Sequence, residues 1–441
     1  MAGVYQTYEI RCPVHGFIPF DDWEREIVNH DAFQRLRRVR QLAWTDYIYP
    51  GAMHTRFEHS LGVMHAATRL FDAVVKNSFE LLKRVYGYVS LEDDQLRRTR
   101  TIVRLTALLH DTGHSPFSHA GEEVFPVDPL SKSGKPYKHE AYSAAVIRHV
   151  LKEAIENHPL NTSGPQITAD EIATFLEGTS SSIGNLAFWR QLIDGQMDAD
   201  RMDYLLRDSL HIGVDYGRYD WRRLLNTIQV IEMPPIDGAL QPDLRIGVAE
   251  GGFHAAEALV LARYYMFTQV YFHKTRVAYD HHIKEALKSI LGGVFPPPTP
   301  KEPGKSGIQD YLEWDDWRVL GELAKANGGD HGKRISQRDH YREVYHTPEF
   351  PTEGDRTTLN LIRKTLGALV VRTESSLTSA YKLEKSDISV VSEDGLRKVK
   401  ALSDMSFVVK SLTQKPLEIV RLYSKPEDAA VARGKVDELL K

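Results

Sequence analysis

Apolar positions in this chain recur mostly at intervals of three and four residues, the period of an amphipathic α-helix. "DAFQRLRRVRQLA" sets Phe33, Leu36 and Leu42 near one face and basic residues on another. "RFEHSLGVMHAATRLFDAVV" and "RTRTIVRLTALLH" read as long buried helices, and "HEAYSAAVIRHVLKEAIE" and "ADEIATFLEG" continue the series. A helix through "DADRMDYLLRDSLH" stops at the glycine of "HIGVDYG". Residues 253–292 form another long helical pattern. Strand-like patterns are few. The opening "YEIRCPVHGFIPF" alternates weakly and breaks at Pro13 and Gly16, which favours a short strand or extended arm. "NTIQVIEM" and "DLRIGVAE" flank "PPIDGALQP" as a hairpin with a wide turn.

"GGVFPPPTPKEPGKSG" cannot continue a helix, because proline lacks an amide hydrogen, and its composition favours an extended spacer. Beyond it "IQDYLEWDDWRVLGELAKA" and "RTTLNLIRKTLGAL" read as helices, "ISVVSEDGLRKVKAL" and "LEIVRLYSK" as strands, with a closing helix from Pro426. The expected fold is mainly α. Residues 1–292 form an all-helical core with a short hairpin, 293–308 a Pro/Gly-rich linker, and 309–441 a smaller mixed α+β part, with no internal repeat in either.

A length of 441 residues leaves room for a deep interior and a buried site. The net charge of -4, with both signs interspersed, provides no global basic field, so an anionic ligand must be met by a local cluster. One cysteine, Cys12, excludes an internal disulfide and a thiolate metal cage. No stretch approaches the ~18 consecutive apolar residues of a spanning helix. The start "MAGVYQTYEIRCPVHG" lacks the basic-then-apolar order of a signal peptide. A soluble, cytoplasmic protein without a membrane partner is expected.

The candidate chemistry centres on "LLHDTGHSPFSHA", residues 108–120. A single histidine at a helix end ordinarily satisfies a carbonyl or sits hydrogen-bonded in a core. His110 beside Asp111 at the end of an apolar run is different, because both groups are costly to desolvate unless something binds them, and a divalent cation binds both. Gly113 would let the backbone turn away. Two ligands are too few for a catalytic metal, and others are at hand. "HTRFEHSLGV" offers His54, His59 and His65 with Arg56 embedded, and "QMDADRMDYLLRDS" offers Asp198, Asp200, Asp203 and Asp208. A mixed nitrogen and oxygen set suits Mn, Mg, Fe, Zn or Ni and water activation, not a sealed structural zinc. Asp200, Tyr204 and Asp208 recur every four residues and so share one helix face. Asp203 and Arg207 read as an i, i+4 surface ion pair, and His54, His65 and His149 as structural.

"AFQRLRRVRQLA", "YPGAMHTRFEHSLGV", "LLHDTGHSPFSHAGE", "KHEAYSA" and "DADRMDYLLRDS", in this order, resemble the HD-domain phosphohydrolases of the deoxynucleotide triphosphohydrolase type over roughly residues 5–290. That group includes the bacterial dGTPases and the animal SAM-and-HD-domain enzymes. The resemblance implies metal ligands His59, His110, Asp111 and Asp200. It implies that His114 and His119 face the phosphate attached to the sugar, that His139 and Glu140 are the proton-transfer pair, and that Glu122 supports the catalytic histidine. Arg56 and Arg201 would hold phosphate, Gln41 and Leu42 would form the sugar edge, and Tyr204 and Asp208 would face sugar and phosphates. The sequence departs from the animal enzyme at Gln269, where an arginine grips phosphate. It departs again at Asn29 and at Arg11, Cys12 and Pro13 of the regulatory nucleotide site, where Gln34 and Arg37 do match.

The reaction so implied releases deoxynucleoside and intact triphosphate. Two further readings stand beside it. One is a phosphomonoesterase, phosphodiesterase or nuclease acting on nucleotides or single-stranded DNA ends. The other is a nucleotide-sensing scaffold that keeps the fold without turnover. The partners implied are a deoxynucleotide substrate, a nucleotide activator, single-stranded nucleic acid under the second reading, and a second copy of the chain in an even-order oligomer.

Overall fold

Helices carry the architecture, as the three- and four-residue periodicity predicts. The computed structural model describes residues 6–441 apart from 163–165, 179–182, 235–242, 297–298, 301–303, 379–386, 393–397 and 415–416. The hairpin turn "PPIDGALQP" therefore lies almost entirely outside the described residues. The opening segment forms an antiparallel pair, β1 (Tyr8–Cys12) and β2 (Gly16–Phe20). The principal helices that follow are α1 (Arg56–Tyr86), α2 (Asp94–Leu109), α3 (His139–His149), α4 (Ala169–Glu177) and α5 (Ala199–Ile212). After the hairpin β3 (Ile228–Met233) and β4 (Asp243–Ala249) come α6 (Phe253–Met266) and α7 (Lys274–Leu291). Local chemistry sets the boundaries. Thr55 and Glu58 close a capping box at the start of α1, and Gly87, in the left-handed region at φ 77°, ends it.

Several expected helices are interrupted: "HEAYSAAVIRHVLKEAIE" breaks at residues 150–151 and "IQDYLEWDDWRVLGELAKA" at 313–315, and two further breaks have a visible cause. The run "DAFQRLRRVRQLA" is helical only to Arg38, because its backbone then pairs with the segment before α1. The Arg56 N–H donates to Val39 O (2.9 Å) and the Gln41 N–H to His54 O (3.0 Å), so Gln41 and Leu42 stand outside any regular helix. The long pattern over 253–292 breaks into α6, a π turn at Phe267–Tyr271 and α7, which His273 caps. Beside the turn's wider backbone, the Tyr271 hydroxyl donates to Asp208 Oδ2 (2.6 Å). A tertiary bond of this kind leaves no trace in a periodicity.

The C-terminal stretch is divided between two packing environments. Phe295, Ile308, Tyr311, Val319 and Leu323 belong to the same hydrophobic core as α1–α5. So do Ile388, Val390 and Leu402, in and beside the strands β7 (Ser389–Val391) and β8 (Val399–Ala401), which extend the hairpin into a sheet of order β3-β4-β7-β8, with β4 and β7 parallel. A second sheet, of order β5-β9-β6, combines β5 (Arg342–His346), β6 (Arg372–Thr378) and β9 (Leu417–Ser424). Its own small core includes Val344, Ile362, Leu366, Leu422 and Ala432.

Two glycines allow the close approaches on which the site depends. A Cβ at Gly62 of α1 would lie 2.0 Å from Asp203 Oδ1 and 2.3 Å from Arg207 Nη2 of α5. One at Gly113 would lie 2.1 Å from the Ser143 nitrogen of α3. Gly113 is thus required for contact with α3; the backbone does turn at residues 111–113, as expected, but without a positive φ at this glycine. Gly62→Ala is expected to lower the unfolding free energy by about 1–3 kcal/mol through overpacking, read from the midpoint of urea denaturation by circular dichroism. An unshifted midpoint would contradict the tight α1–α5 contact.

Candidate functional site

Helix ends from three parts of the chain meet at one point. His59 lies in the first turn of α1, and His110 caps the C-terminus of α2 with Asp111 next to it. Asp200 opens α5, whose cap Asp198 accepts the Arg201 N–H (2.8 Å). His59 Nε2 lies 3.0 Å from Asp200 Oδ1 and 3.6 Å from Asp111 Oδ2. His110 Nε2 lies 3.3 Å from Asp111 Oδ1 and 3.8 Å from Asp200 Oδ1. The four residues expected as metal ligands are therefore brought together.

The second nitrogen of each ring fixes what the first presents. His110 Nδ1 faces the Ala107 carbonyl at 2.8 Å and His59 Nδ1 faces Asp203 Oδ2 at 2.8 Å. Both acceptors lack a hydrogen, so both Nδ1 atoms donate, and in the neutral rings both Nε2 lone pairs turn inward. Neither Nε2 is satisfied by a hydrogen bond. Two inward lone pairs and two carboxylates repel one another unless positive charge sits among them. This set fits a divalent cation, with His59, His110 and Asp111 within metal-holding reach of one another. A proton competes for the place. Burial pulls the His59 imidazolium down, but the Asp200 carboxylate 3.0 Å from Nε2, the Nδ1 bond to Asp203 and the charges of Asp203 and Asp111 outweigh that and raise its pKa to about 10. Asp200, partly exposed, is correspondingly held well below the carboxylate range by His110 and His59 against the desolvation that opposes it.

Asp203 and Arg207 correct the surface-pair reading, for both side chains are fully buried. Asp203 accepts from His59 Nδ1, from His15 Nε2 (2.7 Å) and from Arg207 Nε and Nη2 (2.8 Å each). An i, i+4 pair has the same spacing on a wet or a dry face, so the sequence cannot distinguish them. The available hint was Gly62, three residues after His59, which marks a helix approached closely by another. His15 escaped notice because it lies in a turn far from the motif.

A second group stands beside the first. His139, at the start of α3, donates from Nδ1 to Glu122 Oε1 (2.8 Å), and its Nε2 lies 3.7 Å from Asp111 Oδ1. Its ring stacks on His114 with centroids 3.9 Å apart. Burial disfavours the charged ring of His139, but Glu140 and Glu122 prevail and raise its pKa to about 9. Burial, then Arg56 and His139, push His114 well below its ordinary value, so of the two stacked rings one is charged and one neutral at pH 7. His119 also bonds Glu122 (2.8 Å) and is largely exposed. Glu140 Oε2 lies 3.6 Å from His139 Nδ1. Arg56 is buried and donates to Asp111 and to Ser118 Oγ (3.0 Å).

The remaining expected residues are less available. Arg201 turns Nη1 back to the carbonyls of Gly195 (2.9 Å) and Gln196 (2.6 Å). Asp208 accepts from Tyr271 on one oxygen and faces His54 Nε2 with the other (2.8 Å), so its carboxylate is engaged by protein. Gln41 and Leu42 are buried, with Gln41 Oε1 unpartnered. Tyr204 is half-buried, its ring 6.0 Å from that of Tyr271. A separate trio, His281, His282 and His331, gathers three rings. There the Tyr341 N–H donates to His282 Nε2 (3.1 Å), which places the proton on Nδ1 facing His331, and leaves His282 no lone pair for a cation.

Comparison with known proteins agrees with this geometry. Residues 56–208 match the HD domain and residues 219–441 the HD associated region. An uncharacterized protein of Methanocaldococcus jannaschii, MJ1154, is 30% identical over 94% of this chain and 77% of its own length. The deoxynucleoside triphosphate triphosphohydrolase SAMHD1 of Gallus gallus is 29% identical over 64% of this chain and 44% of its own length. The chain spans about half the length of other curated relatives that it matches. A hypothetical protein from Aquifex aeolicus has a solved structure with TM-score 0.75, 27% identity, and coverage of 99% of this chain and 100% of that one.

Because a cation must displace the proton held near pKa 10 on His59, Mn²⁺ affinity is expected to rise roughly tenfold per pH unit between pH 6 and 9, with about one proton released. Calorimetry in buffers of differing ionisation enthalpy reads this directly. A pH-independent affinity would place the cation away from His59. Asp203→Asn, which leaves the four ligands intact, is expected to weaken Mn²⁺ binding by about 10–100-fold; equal affinity would reduce Asp203 to a packing role.

Proposed function

This chain belongs to the HD-domain proteins that carry an HD associated region, and within them we propose that it hydrolyses deoxynucleoside triphosphates to deoxynucleoside and inorganic triphosphate. The observation that carries the reading is the pairing of a cation-ready centre with His139, whose Nε2 lies 3.7 Å from the same Asp111 oxygen that His110 approaches. A divalent cation bound by His59, His110, Asp111 and Asp200 supplies Lewis-acid polarisation of a phosphate and lowers the pKa of water. The chain's own groups do the rest. Water adds to the phosphorus next to the sugar and gives up a proton to solvent, the bond from that phosphorus to the 5′ oxygen breaks, and the His139 proton passes to the departing oxygen, His139 being recharged from solvent. Glu122 and Glu140 keep His139 charged for that donation, and Glu122 fixes which nitrogen faces the reaction. His114, kept neutral, offers a hydrogen bond to phosphate oxygen without taking the acid's place. The SAMHD1 relatives, named for this reaction, support the substrate class.

One observation favours a second reading. Arg201 is turned onto backbone carbonyls and Gln269 stands where the animal enzymes have arginine, so fewer cations are free to meet the outer phosphates. A phosphomonoester or phosphodiester would need fewer.

The discriminating experiment incubates the protein with each dNTP and NTP plus Mn²⁺, Mg²⁺ or EDTA and resolves products by ion-exchange chromatography. Deoxynucleoside with intact triphosphate, abolished by EDTA, is the expected outcome; inorganic phosphate or monophosphate would move the assignment to the second reading. Asp111→Asn is expected to abolish both metal binding and turnover with the fold retained by circular dichroism. His139→Ala is expected to keep the metal and lose about 10²-fold or more in rate.

A further inference from the structure

The HD associated region sends one turn of chain into the heart of the site. Tyr311 donates its hydroxyl to Gly113 O (2.7 Å). Arg35 links the Trp314 carbonyl (2.6 Å) to the His114 carbonyl (2.8 Å). Asp316, the first residue of α8 (Asp316–Ala324), is buried, and its carboxylate bridges two backbone amides. Oδ2 accepts the Arg40 N–H (2.9 Å) and Oδ1 the Phe117 N–H (2.8 Å).

Those two amides belong to the segments that hold Arg56 against Asp111. Phe117 and Ser118 both lie at positive φ, 57° and 58°, a strained region for side-chain-bearing residues that persists only where surroundings impose it. Ser118 Oγ then donates to Arg40 O (2.6 Å) and accepts from Arg56 Nε (3.0 Å), and Arg56 meets Asp111. A continuous path of hydrogen bonds thus runs from Asp316 through the two backbone segments to Arg56 and the metal ligand. Burial raises Asp316 to about 7, against the bonds from Arg40 and Phe117 that favour its charged form.

We infer that Asp316 is a positioning residue for catalysis: its carboxylate ties the 115–118 loop to the 40–41 segment and so fixes Arg56 and the face that receives phosphate. The catalytic part of this inference rests on the hydrolase reading above; the structural part does not. Asp316→Asn keeps the size but must turn an NH₂ toward one of the two amides, so only one bond survives.

The test uses the full-length, Mn²⁺-loaded protein with Asp316→Asn and the milder Asp316→Glu, which keeps both acceptor oxygens. Asn161→Ala serves as a stability control, since Asn161 bonds three backbone groups around Ile155 and Ile167 and touches nothing in the site. For the dNTP turned over fastest, Asp316→Asn is expected to lose about 10²-fold in kcat with Mn²⁺ content unchanged. Asp316→Glu should fall between it and the wild type, and the control should lose melting temperature without losing kcat. Hydrogen–deuterium exchange should speed up in peptides covering 38–42 and 115–119 of the Asp316 variants. Unchanged kcat in a folded Asp316 variant, or an equal loss in the control, overturns the inference. If the wild type turns over no dNTP, the substrate reading fails by itself. Exchange then decides the positioning role, which unaltered protection of 115–119 would refute.

Discussion

A carboxylate without access to water holds this structure to its chemistry. Asp203 accepts from two imidazoles and twice from a guanidinium, and everything at the centre follows from where it sends the His59 proton. With that proton on Nδ1, Nε2 is an inward-facing ligand atom; with it on Nε2, the ring would present a donor to two carboxylates and no place for a cation. The magnitudes rank the interaction. An exposed i, i+4 pair stabilises a helix by about 0.3–0.5 kcal/mol, whereas removing one partner of a buried ion pair costs about 3–5 kcal/mol because a charge is left uncompensated.

Burial has a second consequence around Asp111. His139 and His114 stack, yet burial, then Arg56 and His139, push His114 down while Glu140 and Glu122 hold His139 up against its own burial, even though Glu122 Oε1 also lies 3.3 Å from His114 Nδ1. Environment alone thus separates two residues of one type into a charged and a neutral form, the division that the proposed mechanism uses. Glu122 is pivotal here, since the same oxygen receives His119 and His139.

The region after residue 292 is structurally part of this arrangement. The Pro/Gly-rich segment leads Phe295 into the main core, with its N–H on Val124 O (3.1 Å), and the next helix delivers Tyr311 to the Gly113 carbonyl. Proline density showed that a helix must stop there; it carried no information about whether the chain then leaves the core or returns to it.

What the sequence determined by itself was local. Periodicity placed α1, α2, α3 and α5, and the chemistry of the "HD" step marked His110 and Asp111; the histidines of "HTRFEHSLGV" and the aspartates of "QMDADRMDYLLRDS" were open candidates from which only the resemblance to HD-domain enzymes singled out His59 and Asp200. Tertiary structure alone decided what those residues face. It buried Asp203 and Arg207, turned Arg201 onto its own helix start, engaged both oxygens of Asp208, broke the helix at Phe267–Tyr271, and brought Asp316 to two amides nearly two hundred residues and more away in sequence. Each of these depends on which face another element covers. A spacing of four residues fixes neighbours along one helix and is silent about the helix packed against it.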